Sequence, residues 1–421
     1  MSEEQEPCNF QDPESLKDVL ELLDKIGTAH GISGAVLGIL GEEAEKYFKD
    51  SDILSPLGTV FSNASGIRRS ILKNSGTYDT YSHISGGHTD CALKVAEALK
   101  KCLPKAYAAL YYLYFMGDKS LKSSIQGGKW DNKCNQTGNI FYNWLTDDSH
   151  YGKMPGLIAR GFPKETSSLT SNTAETVADN IKQSLKHESP AALQNVLVFL
   201  LFVCPWHDSL LGHACVFLST FCLKVKDDRE KEFQKYFSSS DFEELKRVCS
   251  TVKSHLQPFT HASSLPLSAV CHQNGTLYSA VWNPEAIPLY VKWLKENLNG
   301  IIEALKAMSS DCTKWDSDKL QDASTPGPFR FGFVFKGSWS DGTFKSQLPS
   351  KISSLTNSGP GSLQSLQKSL ENFSTGNPGA TAGGVTTGVL GAGGLGAGVA
   401  YATNAFGFQN FISGLISSFL K

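Results

Sequence analysis

Apolar residues recur at helical spacing along most of this chain. In the first such segment, one helix face is apolar: Leu16, Val19, Leu20, Leu23 and Ile26. We expect Asp12 to cap this helix, with Pro13 as its first residue, because proline lacks an N–H that would be unpaired there. Gly27 would end it. The pattern predicts an amphipathic helix packed on a core.

The same periodicity predicts further helices, over 91–116, 174–185, 210–225, 241–256 and 284–308. Pro104 lies inside the first of these, and we expect it to kink that helix. Residues 190–204 contain a run of nine apolar residues, VLVFLLFVC. A bilayer needs a longer run, of about 17–25 residues, so we favour a buried core helix there.

One stretch departs from the helical pattern. Strict alternation, which is typical of a strand, places four aromatic rings on one side of residues 329–339: Phe329, Phe331, Phe333 and Phe335. We therefore predict a mainly α fold, a multi-helix, bundle-like body with one short strand or hairpin near 329–339.

Composition divides the chain into three parts. Residues 12–345 read as a helical globular body. Residues 346–384 are rich in Ser, Gly, Asn and Thr, which predicts a flexible linker, although 363–370 could form a short amphipathic helix. Residues 385–421 are rich in Gly and Ala, with an apolar end.

The C-terminal part carries no charged residue between Glu371 and Lys421. Residues 385–406 are long enough to span a bilayer, and the glycines repeat at GxxxG spacing, which lets membrane helices approach closely. Residues 408–419 have the pattern of an interfacial amphipathic helix. The membrane segment that we predict includes Gly384, Gly388, Leu395, Gly398, Val399, Phe408, Phe411, Leu415 and Phe419. A low-complexity linker and a tail docked on the body are the alternatives.

Charge and cysteine content narrow the class of protein. The formal net charge is −2, so the chain lacks the excess of basic residues that is typical of nucleic-acid-binding proteins, and we exclude that class. The N-terminus is acidic, with no apolar region of the kind that a signal peptide has.

Sequence alone does not give disulfide connectivity. The candidate disulfide cysteines are Cys91, Cys102, Cys134, Cys204, Cys215, Cys222, Cys249, Cys271 and Cys312.

Two clusters have residue types suited to chemistry. Cys204, His207, His213 and Cys215 could supply zinc ligands, but we favour disulfides or buried thiols between packed helices. In the second cluster, Cys91 follows His83 and His88 closely, and a Cys–His nucleophile is conceivable.

A helix cap at Thr89 or Asp90 is the plainer interpretation of the second cluster. The chain has no GxSxG, HExxH or P-loop motif. We expect no enzymatic activity, catalytic residue, cofactor, metal or small-molecule substrate.

Several segments together resemble a known family. They are PESLKDVLELLDKIG, NASGIRRSIL, KKCLPKAYAALYYLYF, AMSSDCTKW, GPFRFGFVFKGSW and GAGVAYATNAFGFQNFISGLISSFLK. In this order, over about 12–421, they resemble the secreted antigen 1 family of Babesia parasites. More distantly, the C-terminal tail resembles the variant erythrocyte surface antigens of the same parasites. The resemblance implies a non-enzymatic parasite antigen, secreted or at the surface, that contacts host cells or antibodies.

The tail pattern and the resemblance together predict a surface antigen anchored in a membrane by its C-terminal segment. A soluble secreted decoy with a docked tail is one alternative. A tail-anchored protein that faces the cytosol is another, and the absence of a recognisable signal peptide fits it.

Overall fold

The computed structural model describes twelve segments of the chain. They are residues 10–28, 30–48, 54–74, 81, 89–122, 127–147, 156–185, 201–226, 229–260, 267–269, 282–335 and 341–375.

Helices dominate the described segments. The α-helices are α1 Leu16–Thr28, α2 His30–Glu45, α3 Leu54–Ile71, α4 Thr89–Gly117, α5 Ile140–Thr146, α6 Ala174–Leu185, α7 Leu211–Lys226, α8 Glu230–Phe233, α9 Ser239–Thr260, α10 Ile287–Asp311, α11 Ser317–Gln321, α12 Asp341–Thr356 and α13 Leu363–Glu371. The helices predicted over 91–116, 174–185, 210–225, 241–256 and 284–308 are confirmed as α4, α6, α7, α9 and α10. The helix predicted within 190–204 lies mostly outside the described residues.

The first helix shows how local sequence sets its ends. The Ser15 hydroxyl accepts a hydrogen bond from the Asp18 backbone N–H at 3.2 Å, and the Asp18 carboxylate accepts one from the Ser15 backbone N–H at 3.0 Å. This reciprocal cap satisfies two donors that a helix start leaves without partners. Ser15, rather than Asp12, therefore caps α1, and the predicted apolar face is buried.

The helices share one apolar core. In the first half of the chain, α1 packs on α3, and α4 contacts α2 and α6. In the second half, α7 and α9 form the most extensive helix pair among the described elements, and α10 packs on α12 and α13. Buried residues from both halves belong to a single cluster. Helix α4 continues through Pro104.

The short strand predicted near 329–339 is confirmed at Phe333–Phe335, over fewer residues than the alternation indicated. Phe329 and Phe331 lie in a 3-10 helix, Gly327–Phe331, and Gly332 then turns the chain with a φ of 71°. Strand β2, Phe333–Phe335, is only three residues long and pairs antiparallel with β1, Leu267–Ala269. For Phe329 and Phe331 the alternation reflects burial rather than extended backbone, since all four phenylalanine side chains are buried.

Helices also replace most of the predicted linker. From residue 346 the backbone is helical in α12 and again in α13, where the short amphipathic helix was predicted. The two helices bury a set of apolar side chains: Leu348, Ile352, Leu355, Leu363, Leu366 and Leu370. Helical structure therefore continues past residue 345, where the composition changes. Backbone contacts divide the chain into residues 1–379 and residues 380–421, and the second unit lies outside the described residues.

Candidate functional site

Residues 204–215 contain the best candidate for metal chemistry, and the structure gives the first histidine a capping role. His207 precedes a 3-10 turn, Asp208–Leu210, and its Nδ1 accepts a hydrogen bond from the Ser209 backbone N–H at 3.2 Å. The same nitrogen lies 2.8 Å from the Ser209 hydroxyl. Burial, followed by the nearby Lys105 charge, lowers the pKa of His207 to about 4. The imidazole is thus neutral and committed to the turn.

The second histidine is part of the core. His213 lies in the first turn of α7, is 1% exposed, and packs with its ring centroid 6.2 Å from that of Tyr107. Neither of its ring nitrogens has a hydrogen-bond partner among the described residues. Burial lowers the pKa of His213 to about 3. The imidazole of His213 is therefore neutral, because burial strongly disfavours its charged form. It serves as a packing group in the core.

The two cysteines of this segment are buried thiols. Burial raises the pKa of Cys204 well above its ordinary value and that of Cys215 to about 12, so neither is a thiolate at neutral pH. Within the described segments, no three His, Cys, Asp or Glu side chains converge as metal ligands. The zinc hypothesis for this segment is therefore not supported by the geometry.

The second candidate cluster is also closed to nucleophilic chemistry. Cys91 lies in the first turn of α4 and forms a disulfide. Its sulfur is therefore not available as a thiolate nucleophile. His83 and His88 lie outside the described residues.

Most of the candidate disulfide cysteines differ from the prediction. The described cysteines other than Cys91 are free, buried thiols: Cys102, Cys134, Cys204, Cys215, Cys222, Cys249 and Cys312. They lie on inner helix faces and loops of the core, where a thiol packs as a small apolar group. Cys271 lies outside the described residues.

A pair of carboxylates lies deep in the first half of the chain. Asp24 accepts a hydrogen bond from Arg68 Nη1 at 3.1 Å, and Glu21 Oε2 lies 3.8 Å from Arg68 Nη2. Glu21 also accepts a hydrogen bond from the Tyr81 backbone N–H at 3.2 Å. The three charged side chains are almost fully buried. Two carboxylates close together could act as an acid–base pair, but here both are buried and paired with the arginine, and Glu21 Oε2 also lies 3.7 Å from Lys17 Nζ.

A partly exposed arginine joins three segments of the second half. Arg330 donates to Asp311, the last residue of α10, at 2.6 Å, and to Asp208 at 3.2 Å. Its guanidinium lies 4.9 Å from the ring centroid of Phe331. With two carboxylates bound, this cation connects elements of the fold and is not a vacant anion site.

The predicted membrane segment, from Gly384 to Phe419, lies outside the described residues. Among the described helices, residues 208–226 are the one stretch long and apolar enough to cross a membrane, and 83% of it is buried in the core. That burial is typical of a core helix, and the stretch is only weak evidence for a second membrane span.

Comparison of the chain with protein-family models, with curated proteins and with solved structures finds no match.

Proposed function

We propose that the chain is a non-enzymatic secreted or surface antigen of an apicomplexan parasite, anchored by its C-terminal apolar segment. The observation that carries this proposal is the absence of charge over residues 372–420, directly after a body with its own core. A helical body attached to a membrane displays its surface to the medium, where host cells or antibodies contact it. The resemblance to secreted antigen 1 supports the same role.

The states of the candidate reactive groups are compatible with a binding protein. His207 caps a turn, His213 is a packing group, and Cys91 is in a disulfide. A surface antigen binds its partners through exposed residues and does not require reactive histidine or cysteine side chains.

A cytosol-facing, tail-anchored protein is the second candidate, and the free thiols favour it. Thiols persist in reducing compartments, whereas disulfides persist in oxidising ones. The Cys91 disulfide favours export instead. The two topologies use the same anchor and differ in the side of the membrane that the body faces.

Alkaline carbonate extraction of infected-cell membranes tests the anchor. The full chain is expected in the pellet, and a variant that ends at residue 379 is expected in the supernatant. This variant is a matched control because it keeps every described helix, including α13. Recovery of the full chain in the supernatant alone would contradict the anchor.

A further inference from the structure

Sequons for N-linked glycosylation, Asn-x-Ser or Asn-x-Thr, occur in several parts of the chain. They begin at Asn63, Asn135, Asn274 and Asn372. Asn274 lies outside the described residues, and the fold places the other three in different surroundings. A glycan is bulky and hydrated, so the folded body can carry one only where the asparagine amide faces solvent.

The sequon at Asn63 is closed by the fold. Asn63 lies within α3, and its Nδ2 atom is buried, with no hydrogen-bond partner among the described residues. The next residue, Ala64, belongs to the core. A sugar bonded to this nitrogen would need the space of the atoms that cover it, so glycosylation here is incompatible with the packing of α3.

The sequon at Asn372 is engaged by contacts with the rest of the body. Asn372 follows the last residue of α13, and its Nδ2 atom donates a hydrogen bond to Asp241 Oδ1 at 2.9 Å. The Ser374 backbone N–H donates to the Tyr236 carbonyl oxygen at 3.0 Å. A glycan on Asn372 would compete with Asp241 for the same nitrogen, so the fold disfavours this site.

The sequon at Asn135 lies in a turn that is anchored to the body. The Gln136 backbone N–H donates to the Lys133 carbonyl oxygen at 3.3 Å, which places Asn135 at the third position of a β-turn. Cys134, which precedes it, is fully buried and donates its backbone N–H to the Asn172 carbonyl oxygen at 2.9 Å. The turn therefore has a fixed base.

The residues that follow Cys134 point away from the core. Asn135 is partly exposed, and Gln136, Thr137 and Gly138 are exposed. A Cβ added at Gly138 would meet no atom within 4 Å, so the space beside the sequon is open. The asparagine and the threonine hydroxyl that the sequon requires thus lie together at the surface.

We propose that Asn135 is an N-glycosylation site, which accepts an oligosaccharide from a lipid-linked donor when the chain enters a secretory lumen. The proposal rests on the proposed function for that entry alone. Asn63 has the same motif in a closed environment and is the site that stays unmodified in the folded chain.

The chemistry is the transfer of a glycosyl group from an oligosaccharide that is linked to a lipid pyrophosphate. The Asn135 Nδ2 atom attacks the anomeric carbon of the first sugar and forms a C–N bond. The bond between that carbon and the pyrophosphate oxygen breaks, and the lipid pyrophosphate leaves. The amide loses one proton, and no oxidant or reductant is needed.

The test uses the full chain, directed into the secretory pathway of cultured insect cells by a cleavable signal peptide. This design makes the modification independent of export by the parasite. The chain is purified in detergent and digested, and its peptides are mapped by mass spectrometry. We expect the Asn135 peptide mainly in a form that carries sugar mass, and the Asn63 peptide without it.

Substitutions at Thr137 make the test specific, because this side chain is exposed. Thr137→Ala removes the hydroxyl and should abolish the sugar on Asn135. Thr137→Ser is the matched control, since it keeps a hydroxyl and should retain the sugar. Asn135→Gln should abolish it as well, and circular dichroism checks that each variant folds.

Two results would overturn the proposal: an Asn135 peptide of the directed wild type without sugar mass, or Asn63 glycosylated to the same extent as Asn135. Failure of the proposed function has a different signature. A body that is protected from protease in intact infected cells would contradict export, while the Asn135 result from the directed chain would stand.

Discussion

At the scale of single residues, the described chain places several polar groups where they have structural consequences. Arg68 forms ion pairs with two buried carboxylates, Arg330 joins three segments, and His213 occupies the core as a neutral ring. Breaking a buried ion pair leaves a charge without compensation, which costs about 3–5 kcal/mol. These residues therefore matter to the stability of the body.

His213 predicts a loss of stability in acid. The pKa of an unfolded histidine is near 6.5, and burial lowers it to about 3 in the folded chain. The unfolded state then binds the proton first, so the folded state loses stability as the pH falls below 6.5. At pH 4.5 this loss should approach about 2–3 kcal/mol relative to pH 7.5.

His213→Leu removes this titration, and urea unfolding at the two pH values measures the difference. The variant should lose less stability in acid than the wild type, while His207 remains in both proteins as a shared contribution. An unchanged pH dependence in His213→Leu would contradict the buried, neutral state of this side chain.

At the scale of elements, one close contact fixes α7 against the segment before β2. Gly212 lies in the first turn of α7, and a Cβ there would overlap the carbonyl oxygen of Gly332. Gly332 has a φ of 71°, a conformation that L side chains rarely adopt. Both glycines are needed where these two backbones meet.

Gly212→Ala should therefore destabilise the body by about 1–3 kcal/mol, because the added methyl group forces one backbone to move. Gly38→Ala is the matched control, since Gly38 lies in α2 and its added methyl would meet nothing within 4 Å. That change should be neutral or stabilising, by up to about 1 kcal/mol. Equal thermal stability of the two variants would argue against the close contact.

The sequence predicts elements best where one helix face is strongly apolar. Helix α6 has the predicted bounds, and α1 has the predicted buried face. The alternation predicted a strand at Phe329 and Phe331, but these residues lie in a 3-10 helix. A short 3-10 helix in the core can bury alternate residues as a strand does. The partner of β2, Leu267–Ala269, is distant in sequence, and such pairings have no local signal.

In the segment predicted as a linker, the Ser- and Gly-rich composition drew attention away from a helical periodicity of apolar residues. Serine, glutamine and lysine cover the exposed faces of α12 and α13, while leucine or isoleucine recurs every three or four residues on the buried faces. Among the candidate sites, residue type alone suggested ligands at 204–215. Only the structure gives His207 its capping role and places His213 in the core.

The division of the chain after residue 379, rather than after residue 345, predicts the result of truncation. A chain that ends at residue 345 loses the buried leucines of α12 and α13 and exposes the face of α10 that they cover, so it should aggregate or be digested rapidly. A chain that ends at residue 379 keeps both helices and should unfold cooperatively. Limited proteolysis and thermal melts compare them. Equal stability would mean that α12 and α13 are not part of the core.

At the scale of the whole molecule, a body with a continuous core precedes a C-terminal unit without internal charge. We propose that the first unit meets the host and that the second holds it at a membrane. The anchor is common to the exported and the cytosol-facing alternatives, so topology decides between them.

Protease treatment of intact infected cells, followed by blots with separate antibodies to residues 12–375 and to the C-terminal tail, tests the central claim most directly. An anchored, outward-facing antigen loses the body and leaves a short, protected tail fragment. A body that survives until the membranes are permeabilised would contradict the account and would place the protein inside the cell.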